Sequence, residues 1–161
     1  MTRPFRYIAT ALTFTALAAL LTACEPDVTY STYRHIDAEG WGRADTLHFN
    51  TDTLRRDGTY GFSCGVRTRR SYPYQSLVVL VERNVYRRDS LMERKTEKVT
   101  FPIVTPHGRT LGEGVATKLH EVAIEEMELK AGDSLAVRVF HQMAGTRLEG
   151  ITDVGIFMKK R

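Results

Sequence analysis

Apolar and polar residues alternate along much of the chain with a period of two, the pattern of a β-strand that is buried on one face only. The longest such run is Thr59 to Thr68. Shorter runs are Thr29 to Ile36, Asp45 to Asn50, Leu135 to Val139 and Val154 to Met158. Leu77 to Val81 is apolar on both faces, which is typical of a central strand covered from both sides.

Two further segments are less regular. Val99, Phe101 and Ile103 share one face of a predicted strand. Pro102 indicates that this strand lies at an edge, because proline cannot donate a hydrogen bond to a neighbouring strand. Leu119 to Leu129 has apolar residues at helical spacing and also a short alternation, so the pattern fits a helix or a strand. We favour a strand followed by a loop.

Turn-forming residues separate these runs. Gly, Pro, Asp and Asn recur at spacings of about 8 to 15 residues, as in chains that fold into short antiparallel strands. The predicted class is therefore all-β: an antiparallel, jelly-roll-like β-sandwich. At most one short helix is expected besides the helix of the signal peptide described next. Residues 33–161 are predicted to form this single domain.

The first 23 residues have the pattern of a secretory signal peptide. Arg3 and Arg6 precede residues 7–23, which carry no charge and are rich in Ala, Leu and Thr. A transmembrane helix is the alternative. Such a helix needs about 20 strongly apolar residues, whereas this segment is shorter and contains four threonines.

The signal is predicted to end at a lipidated cysteine. Leu21-Thr22-Ala23-Cys24 resembles the lipobox of bacterial lipoproteins residue for residue. The resemblance implies that the Cys24 thiol receives a diacylglycerol and that cleavage removes residues 1–23. Two or more fatty acyl chains, such as palmitate, hold a protein stably on a bilayer. Residues 24–32 would then be a short spacer. An ordinary signal peptide with a chance cysteine, or an uncleaved anchor, is the alternative.

Charge and cysteine content narrow the function classes. The net charge is +4, and about +2 remains without Arg3 and Arg6, so a nucleic-acid partner is disfavoured. If Cys24 is acylated, Cys64 has no intramolecular partner and no disulfide is expected. Because Cys64 lies in the longest alternating run, we predict a buried small hydrophobe rather than a nucleophile or a metal ligand.

Catalytic and cofactor-binding motifs are not predicted. The five histidines are scattered, without the spacing of a zinc site. No nucleophile elbow, phosphate-binding loop or dinucleotide motif is expected. We therefore expect no metal, no cofactor and no enzymatic activity. Two carboxylates brought together by folding, as in a glycosidase, are still possible.

One cluster of arginines and tyrosines is the candidate interaction surface. Its members are Arg67, Arg69, Arg70, Tyr72 and Tyr74, around a predicted loop between strands. Such groups can stack on sugar rings, bind an anionic lipid or a peptide carboxylate, or anchor a protein partner. The alternative is a solvated loop with tyrosines packed at the rim of the sandwich. A second basic stretch, Arg83 to Lys98, is mixed with acidic residues and predicts a solvated hairpin tip.

The order of several residues resembles the gliding-motility-associated lipoproteins called GldH. The resemblance rests on Trp41, Asp45, Phe49, Tyr60, Arg67, Tyr72-Pro73-Tyr74, Leu77, Gly112, Gly114, Gln142-Met143 and, most specifically, the closing segment Leu148 to Ile156. It implies an outer-membrane lipoprotein, an accessory or assembly component of the gliding and type IX secretion apparatus without known catalysis. The family also occurs in relatives that do not glide.

The leading hypothesis is a membrane-tethered β-sandwich that binds other envelope proteins. The alternative is a lipoprotein that binds or cleaves glycans. The sequence does not decide which leaflet of the membrane carries the anchor.

In the closing segment, Gly150 predicts a tight turn before the last strand. Asp153 is predicted to cap this turn or to pair with an arginine. The whole segment is expected to maintain the fold, and a partner-binding patch is the alternative. Thr53 and Ser90, in Asp-Thr-Leu and Asp-Ser-Leu motifs of predicted loops, are candidate O-glycosylation sites.

Overall fold

The computed structural model describes residues 28–161, which fold into ten β-strands without a helix. The predicted signal peptide and Cys24 lie outside the described residues. The strands are β1 (Val28–His35), β2 (Trp41–Gly42), β3 (Leu47–Asn50), β4 (Gly58–Thr68), β5 (Ser76–Arg87), β6 (Ser90–Pro102), β7 (Lys118–Leu129), β8 (Asp133–His141), β9 (Arg147–Leu148) and β10 (Ile151–Lys160).

Two four-stranded antiparallel sheets form the fold. The first sheet has the order β1-β10-β4-β7 and the second the order β3-β8-β5-β6, while β2 and β9 make a small third sheet. The predicted all-β, antiparallel sandwich is confirmed. Pro102 closes β6, which is an edge strand of the second sheet, as its proline predicted.

The core lies between the two sheets and follows from the alternation. Cys64 is paired with Ile156, and Val66 with Val154, so their side chains leave the same face of the first sheet. From the second sheet, Leu77 and the next residues of its face in β5 point into the same core and are fully buried. The longest alternating run of the sequence is therefore β4, an inner strand of the first sheet that lines the core.

The ambiguous segment Leu119 to Leu129 belongs to one continuous strand, β7, rather than to a strand and a loop. A β-bulge explains its mixed pattern. Phe62 is paired with Ile124 and Tyr60 with Met127, so two residues of β7 face one residue of β4. The bulge shifts the buried phase by one residue and makes the spacing of the buried side chains resemble that of a helix.

The folded domain begins earlier than the predicted boundary at residue 33, whereas the predicted strand Thr29 to Ile36 agrees closely with β1. Residues 28–32, which were assigned to the spacer, are part of β1 and pair with β10, with Val28 opposite Lys159. These residues form a strand because β10 is long enough to pair with all of them except Thr29, where the register shifts. The spacer prediction is therefore wrong from Val28 onwards.

Alternating strand directions divide the connections between two ends of the sandwich. The Val28 end contains the start of β1, the loop 51–57, the turn at Arg88 and Asp89, and the end of β10. The loop end contains the segments 36–46, 69–75, 103–117 and 142–150. A strand such as β4, with 11 residues, spans about 33 Å, which is therefore the distance between the two ends.

The basic stretch Arg83 to Lys98 forms the β5–β6 hairpin, and its tip at Arg88 and Asp89 is exposed as predicted. Arg83 itself is not part of this solvated tip. Its side chain is fully buried between the sheets and lies over the Phe62 ring, with 5.0 Å from Cζ to the ring centroid. It points inward because the odd-numbered residues of β5 from Leu77 to Val85 face the core.

Candidate interaction surface

The predicted arginine and tyrosine cluster lies at the loop end, where β4 leaves the first sheet. The backbone of its loop is fixed by two hydrogen bonds. Arg69 N–H donates to the Gly150 carbonyl at 2.7 Å, and Tyr72 N–H donates to the Arg69 carbonyl at 3.1 Å. The closing segment of the sequence therefore holds this loop directly.

Gly150 is required at this contact. Its φ is +81°, and a Cβ there would lie 2.7 Å from the Tyr72 Cα. A side chain would strain the backbone and also collide with the neighbouring loop. The predicted tight turn at Gly150 is present, and it is also the point where two loops pack closely together.

Tyr72 packs beneath its own loop, on the side of the core, and is not part of the exposed surface. Its side chain is buried, and its hydroxyl donates to the Ser76 carbonyl at 3.0 Å. The ring meets Tyr74 edge-on, with 5.7 Å between ring centroids. Burial, together with the charge of Tyr74, raises the pKa of the Tyr72 phenol. Tyr72 thus packs at the rim, which was the alternative interpretation.

Trp41 supports the neighbouring loop in the same way. It is buried, its indole N–H donates to the Asp45 carbonyl at 3.0 Å, and it is paired with Leu148 of β9. The Asp45 carboxylate accepts from Gly42 N–H at 3.0 Å. The ring packs edge-on against His141, with centroids 5.3 Å apart. Trp41, Asp45 and Leu148, which belong to the family resemblance, are thus held together in one packed and hydrogen-bonded frame.

Three of the five predicted surface residues are exposed on this frame: Arg69, Arg70 and Tyr74, the last with 40% of its area accessible. We call these three residues the loop-end surface. They combine two flexible cations with one aromatic ring held against Tyr72. Such a set is suited to an anionic or mixed partner surface, because arginine and tyrosine are enriched where protein interfaces gain most of their affinity.

Arg67 lies elsewhere, on the outer face of the first sheet. Its guanidinium stacks on the Tyr33 ring, with 4.1 Å from Cζ to the centroid. Its Nη1 is 4.0 Å from an Asp153 carboxylate oxygen, and the other Asp153 oxygen is 3.4 Å from His35 Nδ1. Asp153 thus pairs with an arginine, one of its two predicted roles. Arg67 is held by this half-exposed network and does not join the loop-end surface.

The outer face also carries an aromatic pair that the sequence analysis missed. Tyr33 and Phe157 meet edge-on at 5.3 Å between centroids. Tyr33 covers Gly155, and Phe157 covers Gly65, since a Cβ on either glycine would lie within 3 Å of the ring. Glycines inside predicted strands, together with aromatic residues at positions that face outward, could have indicated this pair from the sequence.

Serine chemistry of the hydrolase type has no structural basis at Ser63. The segment Gly61 to Gly65 has the letters of a Gly-x-Ser-x-Gly elbow, which the sequence analysis overlooked. An elbow needs a sharp turn from a strand into a helix, whereas Ser63 lies in the middle of β4. Its hydroxyl donates to the Glu121 carboxylate at 2.6 Å.

Cys64 and two of the five histidines, His120 and His141, are buried. Cys64 is fully buried, which raises its pKa to about 12, as expected of a small hydrophobe. Burial also lowers the pKa values of His120 and His141. Within residues 28–161, no group of three His, Cys, Asp or Glu side chains is placed to hold a metal ion, and no helix is long and apolar enough to cross a membrane.

Two surface cavities formed by the described residues 28–161 bear on a possible glycan site. The larger, of about 950 Å³, lies at the Val28 end, and the smaller, of about 490 Å³, lies beside the start of β7. The larger is lined by two tyrosines and one carboxylate, Asp52. The smaller has Glu113 and Glu121 but no Phe, Tyr or Trp side chain. Neither combines aromatic walls with facing carboxylates, the arrangement expected of a glycan-cleaving cleft.

The two candidate glycosylation residues, Thr53 and Ser90, are both exposed. Thr53 lies in the loop 51–57, and Ser90 is the first residue of β6, next to the turn. Their modification stays a prediction.

Comparison with known proteins gives one family match. The family model described as GldH lipoprotein matches residues 28–158. No curated protein matches the chain by sequence.

Solved structures resemble the chain only distantly. Eiger TNF from S. frugiperda has 14% identity and a TM-score of 0.32, over 81% of this chain and 92% of that one. A 4-O-methyl-alpha-glucuronidase has 13% identity and a TM-score of 0.45, over 86% of this chain but 18% of that one. A family 35 carbohydrate binding module from Clostridium thermocellum has 15% identity and a TM-score of 0.37, over 83% and 93%. These similarities carry no argument about function.

Proposed function

The chain belongs to the GldH lipoprotein family, and on this premise we propose that it is a membrane-tethered binding component of the gliding-motility and type IX secretion apparatus. Membership of a lipoprotein family implies an envelope protein anchored to a membrane. In this proposal the anchor is acylated Cys24, the membrane is the outer membrane, and the protein acts by contacts with other envelope proteins, without catalysis.

The observation that carries this proposal is that the loop end combines buried residues that fix the loops with exposed residues that a partner can contact. Trp41, Tyr72 and Gly150, which belong to the family resemblance, are held between loops or buried. They fix the loops that present Arg69, Arg70 and Tyr74 to solvent. A loop backbone that is fixed before binding loses little conformational entropy when a partner docks.

The position of the anchor supports the same role. Cys24 precedes Val28 by four residues, so their α-carbons are at most about 14 Å apart. The loop end lies about 33 Å further along the strands. Tethering would confine the loop-end surface to a thin layer beside the membrane and raise its effective concentration towards partners in that layer.

Co-purification of the tagged, full-length lipoprotein from solubilised membranes tests the proposal. Arg69→Glu/Arg70→Glu reverses two charges of the loop-end surface and is expected to reduce recovery of its envelope partners at least tenfold. The matched control, Lys98→Glu/Lys130→Glu, reverses two exposed charges elsewhere and is expected to recover them as the wild type does. Equal recovery with both variants would show that the partner binds another surface. A wild type that recovers no envelope protein above an untagged control would contradict the binding role.

A further inference from the structure

The larger cavity lies at the end of the sandwich to which the anchor is attached. The loop 51–57 forms one wall, and the start of β1 and the end of β10 form the other. Tyr60 and Met158, both almost fully buried, line its floor. The cavity is therefore a recess between the sheets that opens at the Val28 end.

Its rim is strongly basic. Four cationic side chains, Arg55, Arg56, Lys160 and Arg161, line the cavity together with a single carboxylate, that of Asp52. Arg161 Nε also lies 2.8 Å from a Glu126 carboxylate oxygen, but both side chains are about half exposed, so solvent screens this pair. A net positive charge stays on the rim even when Arg56 and Arg161 are both counted as neutralised, because Arg55 and Lys160 outweigh Asp52.

The basic wall is built on a fixed loop. Leu54 is buried, and its N–H donates to the Asp133 carbonyl at 2.7 Å. The Tyr60 hydroxyl donates to the Arg56 carbonyl at 2.8 Å. On the other wall, the Lys160 stem lies over Gly58, where a Cβ would approach its Cε to 2.7 Å. The cations are therefore carried on backbone that does not need to fold on binding.

Geometry places this rim next to the bilayer, provided that Cys24 is the anchor, as the proposed function states. Val28 is paired with Lys159, directly before Lys160 and Arg161. Because the chain between Cys24 and Val28 spans at most about 14 Å, the rim can approach the headgroups to less than one Debye length, which is about 8 to 10 Å. At that distance basic side chains are attracted to anionic lipid.

We propose that the cavity binds the phosphate-bearing headgroup of an anionic lipid in the membrane that holds the anchor. The acyl chains and the headgroup site would then attach the domain at two points. Two attachments fix its orientation, so that the strands stand away from the bilayer and the loop-end surface faces outward. A tether alone would let the domain tumble and would present any of its faces.

Short-chain lipids test the site on the detergent-solubilised, full-length lipoprotein. Calorimetric titration with dihexanoyl phosphatidylglycerol is expected to show binding at least tenfold tighter than with dihexanoyl phosphatidylcholine. Arg55→Glu/Lys160→Glu is expected to lose at least tenfold in affinity for the anionic lipid. The control Lys98→Glu/Arg109→Glu changes the net charge equally outside the cavity and is expected to bind as the wild type does.

Three outcomes would overturn the assignment. Equal affinities for the two lipids would exclude a site for anionic headgroups. Inorganic phosphate that binds as tightly as phosphatidylglycerol would identify a phosphate site that does not need a lipid. A tenfold gain in affinity on Glu25→Gln/Asp27→Asn would show that the acidic segment before β1 is the main partner of the cations.

Orientation provides a second, independent measurement. The lipoprotein with a fluorophore on Ser71→Cys, at the loop end, is reconstituted into vesicles of phosphatidylcholine with or without phosphatidylglycerol, and energy transfer to a lipid acceptor is measured. Anionic lipid is expected to lower the transfer in the wild type and not in Arg55→Glu/Lys160→Glu. Mass spectrometry of Cys24 separates the two proposals: an unacylated Cys24 contradicts the anchor, whereas an acylated protein without selectivity for anionic lipid contradicts only the cavity site.

Discussion

Arg83 donates from Nη2 to a Glu97 carboxylate oxygen at 3.0 Å, although the arginine side chain is completely buried between the two sheets. The same guanidinium donates to the Glu125 carbonyl at the bulge of β7, and Glu97 accepts from Glu125 N–H at 3.1 Å. Arg83 and Glu97 therefore join β6 and β7, the two edge strands on one side of the sandwich. On the other side, Arg34 of β1 donates to the His48 carbonyl of β3 at 2.9 Å.

Removing the carboxylate of this pair should be more harmful than removing the whole pair. Glu97→Ala leaves Arg83 buried without its counter-charge. Breaking a fully buried pair costs about 3–5 kcal/mol. Because a third of the Glu97 side chain is exposed, we expect a loss of about 2 kcal/mol in the free energy of unfolding. The double variant Arg83→Met/Glu97→Gln should lose less, since no charge stays buried.

Urea denaturation of the purified domain measures both variants. Glu93→Ala is the control, because Glu93 is an exposed residue of the same strand. If Glu97→Ala unfolds at the same urea concentration as Glu93→Ala, Glu97 is not needed to stabilise the buried charge of Arg83, and the prediction is wrong.

The stability of the fold should fall in acid through two carboxylates. Burial by itself raises the pKa of Asp133, but hydrogen bonds from the Arg87 side chain and the Lys130 N–H outweigh it and lower that pKa. Hydrogen bonds from Arg138 and Asn84 lower the pKa of Glu82. A lowered pKa means that the folded state prefers the charged form. This stabilisation is complete above the ordinary values of 3.8 and 4.5 and is lost as the pH falls through the folded-state values.

Thermal unfolding from pH 7 to pH 2 tests this dependence. Asp133→Asn should be less stable than the wild type at pH 7, and the gap should narrow as the pH falls below about 4. Asp52→Asn, at an exposed residue of the loop 51–57, is the control. A gap between Asp133→Asn and the wild type that is constant over this range would contradict the charge pairing.

Much of this fold follows from the sequence, because the signals are local. The alternation in β4 and β10 defines the core face, and Pro102 marks an edge. The errors arise where partners are distant in sequence. The bulge in β7 is visible only against β4. The charge of Arg83 suggested a solvated tip because the Phe62 ring and the Glu125 carbonyl, which contact its buried guanidinium, belong to the distant strands β4 and β7.

The interaction surface shows the same limit. Arg69, Arg70 and Tyr74 could be predicted as exposed loop residues, while the burial of Tyr72 depends on the distant Gly150. The basic cavity brings the loop 51–57 next to Lys160, about a hundred residues further along the chain. The spacing of residues in a single sequence does not predict that two such distant segments lie side by side.

Two glycines with nearly equal φ angles separate backbone strain from loop packing. Gly150 has φ +81° with the Tyr72 Cα in the way, and Gly108 has φ +80° with nothing within 4 Å of an added Cβ. Gly108→Ala should cost about 1 kcal/mol from backbone strain alone. Gly150→Ala should cost at least about 2 kcal/mol more, because the two loops must move apart.

Unfolding by urea compares the two alanine variants, and co-purification reports the loop-end surface. Gly150→Ala should also weaken recovery of envelope partners, since Tyr72 supports the exposed loop, while Gly108→Ala should not. Equal losses of stability in the two variants would mean that the Gly150 contact with Tyr72 relaxes freely.

The last prediction concerns the two thiols, whose chemistry should differ completely. Cys64 is fully buried with a pKa raised to about 12, so at pH 7 it is neither accessible nor ionised and should not react with a maleimide in the folded protein. Cys24, if acylated, has no free thiol in any state. The wild type purified from membranes should therefore take up no maleimide when folded and one equivalent in urea, and Cys64→Ser should take up none in either condition. One equivalent on the folded wild type, absent from Cys24→Ser, would show that Cys24 carries a free thiol, and the anchor would have to be sought elsewhere.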